Sequence, residues 1–542
     1  MAEGFKVGRL DDLAPGALRQ AEAGGRELLL ARVGDRVFAT DARCTHYGAP
    51  LAEGVLVGGR VICPWHHAVF DVATGGHDEP PGCGGLRSYP VRVEAGEIVV
   101  EVEGAAAPAE PPIKAGKNPV FVIVGAGAAG SEAAFALRRE GFEGRIVLVG
   151  REEALPYDRT VLSKEVLRGE KPPRPLDLWP GDFYAARGIE LWLGREVRRV
   201  DAAQKRVAFA DGTGLDYDAC LVATGGVPRR LDVPGADLEG VLTLRSRADA
   251  GALVAAARNA ERAVVVGASF IGLECAASLA ARGVEVTVAA PDDVPFAKVF
   301  GEAVGRALVR VHEAKGVAFR LGRQAVRFEG DGEGAREGGA RVAAAVLDDG
   351  ERLAADLVVV GVGIAPATGI LCGVGLDDDG GVPVDAGLRA ADGLWAAGDV
   401  AKFPLPDGTR VRIEHWRLAR EHGRVAALSM MGRPARYEGV PFFWSAQHLA
   451  LYYVGHAEGF DDVALDGRPG DGPFIAYYLK DGRVKAALGV ERNADMAALQ
   501  GLMRLGAAPD AAEVRQGGFA PAERLRRQAL RARPRPENAD LS

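Results

Sequence analysis

The chain has 542 residues, 48% of them hydrophobic, with a net charge of −8 and a pI near 5.8. That length and apolar content predict roughly three or four folded domains, and the acidic balance argues against a nucleic-acid or anionic-membrane partner. No basic segment followed by an apolar run opens the chain, and no apolar stretch nears the roughly eighteen residues that span a bilayer, so the expected compartment is the cytoplasm. Six cysteines, at 44, 63, 83, 220, 275 and 372, are too sparse for a disulfide framework. The question becomes what individual thiols do.

Glu27 to Thr40 has the pattern of two strands joined at Gly34-Asp35, and Gly59–Ile62 and Val91–Val102 add further β runs. Two loops of this small all-β unit carry Cys44-Thr45-His46 and Cys63-Pro64-Trp65-His66. A thiol and an imidazole on each of two loops suit a [2Fe–2S] centre in which two thiolates hold one iron and two imidazoles the other. The same residue types could hold a structural zinc, although finger sites usually pair cysteine with cysteine and histidine with histidine. Residues 1 to 104 resemble a Rieske domain, with Cys44, His46, Cys63 and His66 on the four ligand positions. Respiratory Rieske proteins carry an additional cysteine in each ligand loop. This chain has none there, so the resemblance is to the ferredoxin-like, lower-potential branch. His67 stands where the family usually has glycine and is expected to be a solvent-side substitution; Cys83 is expected to be a loop residue.

Residues 105–118, rich in Ala, Pro and Glu, are predicted to be a semi-rigid tether that keeps the cluster at high effective concentration. Phe121-Val-Ile-Val124 then has the length of a buried parallel strand, and Gly125, Gly127 and Gly130 have the spacing of a dinucleotide-binding turn. Such a turn lets a pyrophosphate meet a helix N-terminus, which brings Ala126, Ala128 and Ala129 to the cofactor. At the end of the next strand stands Gly150-Arg151-Glu152, with either Arg151 or Glu152 as the group that meets the adenosine half. A second turn occupies Val264 to Gly272, with Ser269 at the middle glycine position.

From Pro156 to about residue 450 the chain resembles flavin reductases that include oxygenase-coupled ferredoxin reductases and apoptosis-inducing-factor-like proteins. The resemblance rests on Pro156-Tyr-Asp-Arg-Thr-Val-Leu-Ser-Lys164, Leu221–Gly226, the second turn, Val358–Pro366, Leu394–Val400, Glu414-His-Trp416 and Pro441–Gln447. It implies FAD in the first cradle, contacted by Arg159, Lys164, Val197, Ala223, Thr224, Gly225, Asp399, His415 and Trp416. Asp399 would meet the ribityl chain and Trp444 the ring. A buried Lys164–Glu274 pair would tune hydride acceptance beside that ring. The second cradle, with Gly267, Ser269, Phe270, Ile271, Asp292 and Gly363, would hold the nicotinamide nucleotide. Asp292 and Asp293 favour NADH, since a 2′-phosphate would be repelled, and NADPH stays open.

The implied fold is α/β with an all-β N-terminal module: a Rieske domain (1–104), the linker (105–118), and a glutathione-reductase-like flavoprotein of two dinucleotide-binding domains. Its FAD part runs through 119–243 and 363–438, its NAD(P)H part through 244–362. A C-terminal α/β domain (439–520) and a solvated basic tail (521–542) follow. The implied activity is NAD(P)H-dependent reduction of FAD, then of the fused cluster, then of a redox-protein or oxygenase acceptor. A slow NADH-responsive sensor is the alternative, and a homodimer stays open. A disulfide reductase is disfavoured, because the helix after the first cradle has no cysteine pair.

Overall fold

A computed structural model describes residues 4–108, 115–171, 176–332 and 340–531. Gly34-Asp35 turns the strand Arg26–Val33 back onto Arg36–Asp41, with Val33 opposite Arg36, a two-residue hairpin connection. Leu28, Leu29 and Leu30 are all buried, so both faces of that strand are covered. Two more antiparallel sheets complete the β unit, and one of them, through Val55–Val57, Arg60–Ile62, Val69–Asp71 and His77–Glu79, carries the second Cys-His loop between its middle strands.

Both cradles lie at the ends of parallel strands. In the first, Val120–Val124 runs between Arg145–Val149 and Ala219–Val222, and its unbroken apolar run follows from cover on both faces. Gly125 has φ +114°, and a Cβ there would stand 2.2 Å from the Ala223 carbonyl oxygen, so only glycine makes this turn into helix α1 (Ala128–Arg139). The second sheet is parallel throughout, through 241–242, 357–360, 262–266, 285–290 and 317–321. Its helix α2 (Phe270–Ala281) begins at Ser269, whose Oγ accepts the Gly272 N–H at 3.1 Å. Serine in the middle glycine position therefore serves as an N-cap.

Helix α3 (Trp416–Met430) crosses α1 at backbone contact: a Cβ on Gly423 would lie 2.2 Å from the Ala129 oxygen. A five-stranded antiparallel sheet, ordered 442–446, 450–455, 483–490, 474–480 and 462–466, follows with helix α4 (Asn493–Arg504). The tail departs from the sequence expectation. Pro521–Arg531 is a helix, α5, and Leu525 is buried against Leu502 of α4 and against Val55, Ile62 and Val69 of the N-terminal β unit. One leucine among arginines has the composition of a solvated end; its apolar partners come from distant parts of the chain. The middle of the tether, 109–114, and residues 532–542 lie outside the described residues.

Candidate active site and metal centre

A cavity of about 1290 Å³ runs from the first cradle to the start of the C-terminal sheet, larger than the roughly 300–1,000 Å³ of ordinary ligand pockets. Its wall includes Gly125 to Ala129, Arg151, Arg159, Lys164, Val197, Ala223 to Gly225, Ser269 to Ile271, Glu274, Gly363, Asp399, His415, Trp416 and Trp444. A Cβ on Gly127 would meet no protein atom within 4 Å, so the cradle keeps open space where a pyrophosphate would approach the α1 N-terminus. Gly267 and Asp292 are not in this wall. Gly267 makes the tight turn, its added Cβ falling 2.5 Å from the Gly361 oxygen, while Asp292 stands exposed beyond the strand Glu285–Ala290. Glu152 is held by Arg159 and by the Tyr157 hydroxyl, which donates to it at 2.8 Å. Asp399 likewise takes the Arg245 guanidinium at 2.6 Å.

Lys164 sits in a π-helical turn, Leu162–Val166, and its Nζ donates to Glu274 Oε2 at 2.9 Å, both side chains buried. The Ser163 hydroxyl donates to the same oxygen, and Ser445 donates to Oε1 at 2.7 Å. The buried carboxylate therefore has donors on both oxygens, which is what makes a buried charge tolerable. His415 stacks on Phe443 at 4.0 Å, and burial pushes its imidazole down to about 4, so it lines the cavity uncharged.

The four cluster candidates come together as two pairs. Cys44 and Cys63 are both buried in the same apolar cluster of the β unit. His46 Nδ1 and His66 Nδ1 face one another at 3.1 Å; two nitrogens on one tetrahedral ion at about 2.0–2.1 Å stand roughly 3.3 Å apart. Among the described residues, no three His, Cys, Asp or Glu side chains converge as the ligands of one ion. A single zinc would need all four at one point, so the arrangement fits a two-iron cluster and not a mononuclear site.

Both imidazoles face the flavin cavity's far wall. The Trp444 ring lies 4.3 Å from that of His66 and 6.2 Å from that of His46, and Trp444 also lines the cavity. Asp158, six residues before Lys164, accepts from the Tyr47 hydroxyl and stands 3.5 Å from His46 Nε2. Burial works against its charge, but the nearby His46 imidazole and hydrogen bonds from Tyr47 and Thr160 hold the carboxyl well below the usual range. His67 is not on the solvent side. It has φ +58°, is fully buried, stacks on Phe442 at 3.8 Å, and places Nδ1 2.9 Å from Gln500 Oε1. The left-handed backbone that suits glycine is retained here, and contacts from the C-terminal domain offset the strain of a β-carbon.

Two buried arginines of α3 complete the junction. Arg417 donates to Glu79 at 2.8 Å and to the His67 carbonyl at 3.1 Å; Arg420 donates to Glu132 at 2.6 Å and to the Pro81 and Gly82 carbonyls. Arg504 of α4 also pairs with Glu79 at 2.6 Å. None of Asp158, His67, Arg417, Arg420 or Ser445 stands out in the sequence as a site residue. The available signals were histidine in place of glycine at 67 and the position of Asp158 and Ser445 inside the strings 156–164 and 441–447.

Family models match three successive regions: a Rieske [2Fe-2S] domain over residues 3–90, pyridine nucleotide-disulphide oxidoreductase over 120–423, and a reductase C-terminal domain over 442–526. The chain belongs to the pyridine nucleotide-disulphide oxidoreductase family, with a Rieske domain fused in front. It is 38% identical to apoptosis-inducing factor 3 of Mus musculus over 89% of this chain and 80% of that protein. It is 37% identical to the biphenyl dioxygenase system ferredoxin–NAD(+) reductase component of Paraburkholderia xenovorans over 68% of this chain and 89% of the other. Its fold matches the covalent putidaredoxin reductase–putidaredoxin complex with a TM-score of 0.71 at 31% identity, covering 77% of this chain and all of that one.

This fused reductase is an NAD(P)H-dependent flavoprotein oxidoreductase of ferredoxin-reductase type, with FAD and a [2Fe–2S] cluster as cofactors. Among the described residues no helix is long and apolar enough to cross a membrane.

Proposed function

We infer that the protein takes electrons from NADH and passes them within one chain, through FAD and its own Rieske cluster, to a soluble redox protein or oxygenase component in the cytoplasm. One observation carries this reading: Trp444 lines the flavin cavity and packs against His66. FAD supplies hydride acceptance and release of single electrons. The residues do the rest. Gly125, Gly127 and the α1 N-terminus bind the pyrophosphate, and Asp399 with Arg245 orients the ribityl side. The Lys164–Glu274 pair fixes charge beside the ring, and Trp444 excludes water between cavity and cluster. Cys44 and Cys63 hold one iron, His46 and His66 the other. Asp292 and Asp293, exposed at the tip of the second cradle's strand, oppose a 2′-phosphate and favour NADH. The domain limits proposed from the sequence serve this path, the 439–520 domain carrying Trp444.

Anaerobic titration with NADH, followed by flavin absorbance and electron paramagnetic resonance, tests the path. The flavin should bleach and a reduced Rieske signal should rise within turnover time. Trp444→Ala should slow the Rieske signal by roughly an order of magnitude more than it slows flavin bleaching. A cluster that stays oxidised while the flavin is reduced would end this reading and favour the slow sensor.

A further inference from the structure

The outer nitrogen of His46 poses a question that the electron path leaves unanswered. With Nδ1 directed at His66, the Nε2 edge points away from the metal position into a closed space: the side chain is 4% exposed, and Nε2 has no partner in hydrogen-bond geometry among the described residues. A metal-bound imidazole ordinarily gives its second N–H to a carboxylate, a carbonyl or water. Here the group that faces it is Asp158 Oδ2, at 3.5 Å. Tyr47 also reaches that oxygen, Lys171 lies over the Tyr47 ring at 5.2 Å, and Trp444 borders the His46 ring from the other domain.

Asp158 does not belong to the Rieske domain. It caps the short helical turn Arg159–Val161, its Oδ1 accepting the Thr160 N–H at 2.8 Å. The same turn continues into Ser163 and Lys164, whose donors hold Glu274 at the flavin cavity. One segment of a dozen residues or fewer thus ends on a cluster ligand at one side and on the flavin's charged pair at the other.

We propose that Asp158 is a positioning residue by which the flavin-binding domain orients His46 and lowers the reduction potential of the docked cluster. The proposal rests on the reading of Cys44, His46, Cys63 and His66 as cluster ligands. A fixed negative charge beside the imidazole favours the more positive, oxidised cluster over the reduced one. Each NADH yields two electrons as a hydride to the flavin, leaving NAD⁺, and the cluster accepts them singly; Asp158 gains and loses nothing in either transfer. Its charge sets how far each single-electron step lies toward the cluster. Because the carboxylate comes from the other domain, this effect exists only while the two domains are docked.

The test is a redox titration of the full-length holoprotein, with the cluster followed by electron paramagnetic resonance and the flavin by absorbance. Asp158→Asn should shift the cluster equilibrium toward reduction by roughly tenfold, about 59 mV for one electron, and should alter the imidazole nitrogen hyperfine couplings while leaving the flavin potential unchanged. Asp158→Glu should restore most of the shift. Tyr47→Phe removes the donor that competes for Oδ2, so the carboxylate turns fully to His46 and the potential should fall. If Asp158→Asn fails to hold a cluster, Tyr47→Phe decides: a fall supports the proposal, and no change overturns it. Cluster potentials within about twofold of wild type, roughly 18 mV, in intact variants would also overturn it. Absence of any Rieske signal in the wild-type protein would instead refute the ligand reading.

Discussion

Glu274 takes donors from three directions: the ammonium of Lys164, the hydroxyl of Ser163 beside it, and the hydroxyl of Ser445 from the C-terminal sheet. Lys164 and Glu274 are buried, so neither charge is stable without the other. Replacing Glu274 by Gln keeps the shape and one acceptor oxygen but strands the ammonium, and breaking a buried pair in this way costs about 3–5 kcal/mol. The variant should unfold at lower urea and bind FAD less firmly. With flavin restored, its reduction by NADH in stopped-flow should be slower, because the charge beside the ring is lost. A variant as stable and as fast as wild type would show that the pair is only a spectator. Lys164 and Glu274 could be named from motif position, but Ser163 and Ser445 could not: a serine carries no signal until the fold shows what its hydroxyl faces.

Between elements, the hairpin strand His77–Glu79 meets α3 and α4 through a compact set of charges: Arg417 and Arg504 on Glu79, and Glu421 on Arg417 at 2.6 Å. Burial would raise the Glu79 carboxyl, yet the two guanidinium groups hold it down to about 2, whereas burial pushes Glu421 up to about 7. For Glu79 the folded value lies below the unfolded one of about 4.5, so the unfolded chain binds the extra proton between those values. Its stabilisation is complete above pH 4.5 or so and is lost as the pH falls toward 2. The difference between those two values corresponds to ~3 kcal/mol, reduced to about 2 by the partial exposure of the side chain. Urea midpoints should fall between pH 5 and 3 in the wild type and fall less steeply in Glu79→Gln; parallel slopes would refute the assignment. For Glu421 the sign is opposite, its cost growing as the pH rises from about 4.5 to 7. The strands and cradle helices that flank this set were legible, because parallel strands covered on both faces read as unbroken apolar runs and glycine spacing marks the turns. The charges were not, since a glutamate on a β strand and arginines one turn apart on a helix look like solvated surface until another domain covers them.

At the scale of the whole molecule, the sequence order of modules was legible and their docking was not. A semi-rigid tether of Ala, Pro and Glu predicts only that the cluster is kept near the reductase, whereas His67, Glu79 and Leu525 show the Rieske unit seated on it by contacts far apart in the chain. Leu525 is the most separable of these. It is 1% exposed, its helix does not line the flavin cavity, and Gly501 of α4 leaves it room, since a Cβ there would lie 3.0 Å from Leu525 Cδ2. Leu525→Ala should cost about 2–4 kcal/mol at this contact, and deletion of residues 521–542 at least as much. Neither change touches the flavin cavity, so flavin content and bleaching by NADH should stay at wild-type levels. The Rieske unit, less firmly seated, should then spend time away from Trp444, which raises the radius of gyration in small-angle scattering and slows the cluster signal after NADH mixing. The coupling of those two changes is the decisive feature. A slower signal at unchanged size would place the effect of α5 inside the docked state, and an enlarged molecule with full-speed cluster reduction would mean that the tether alone delivers the cluster to the flavin.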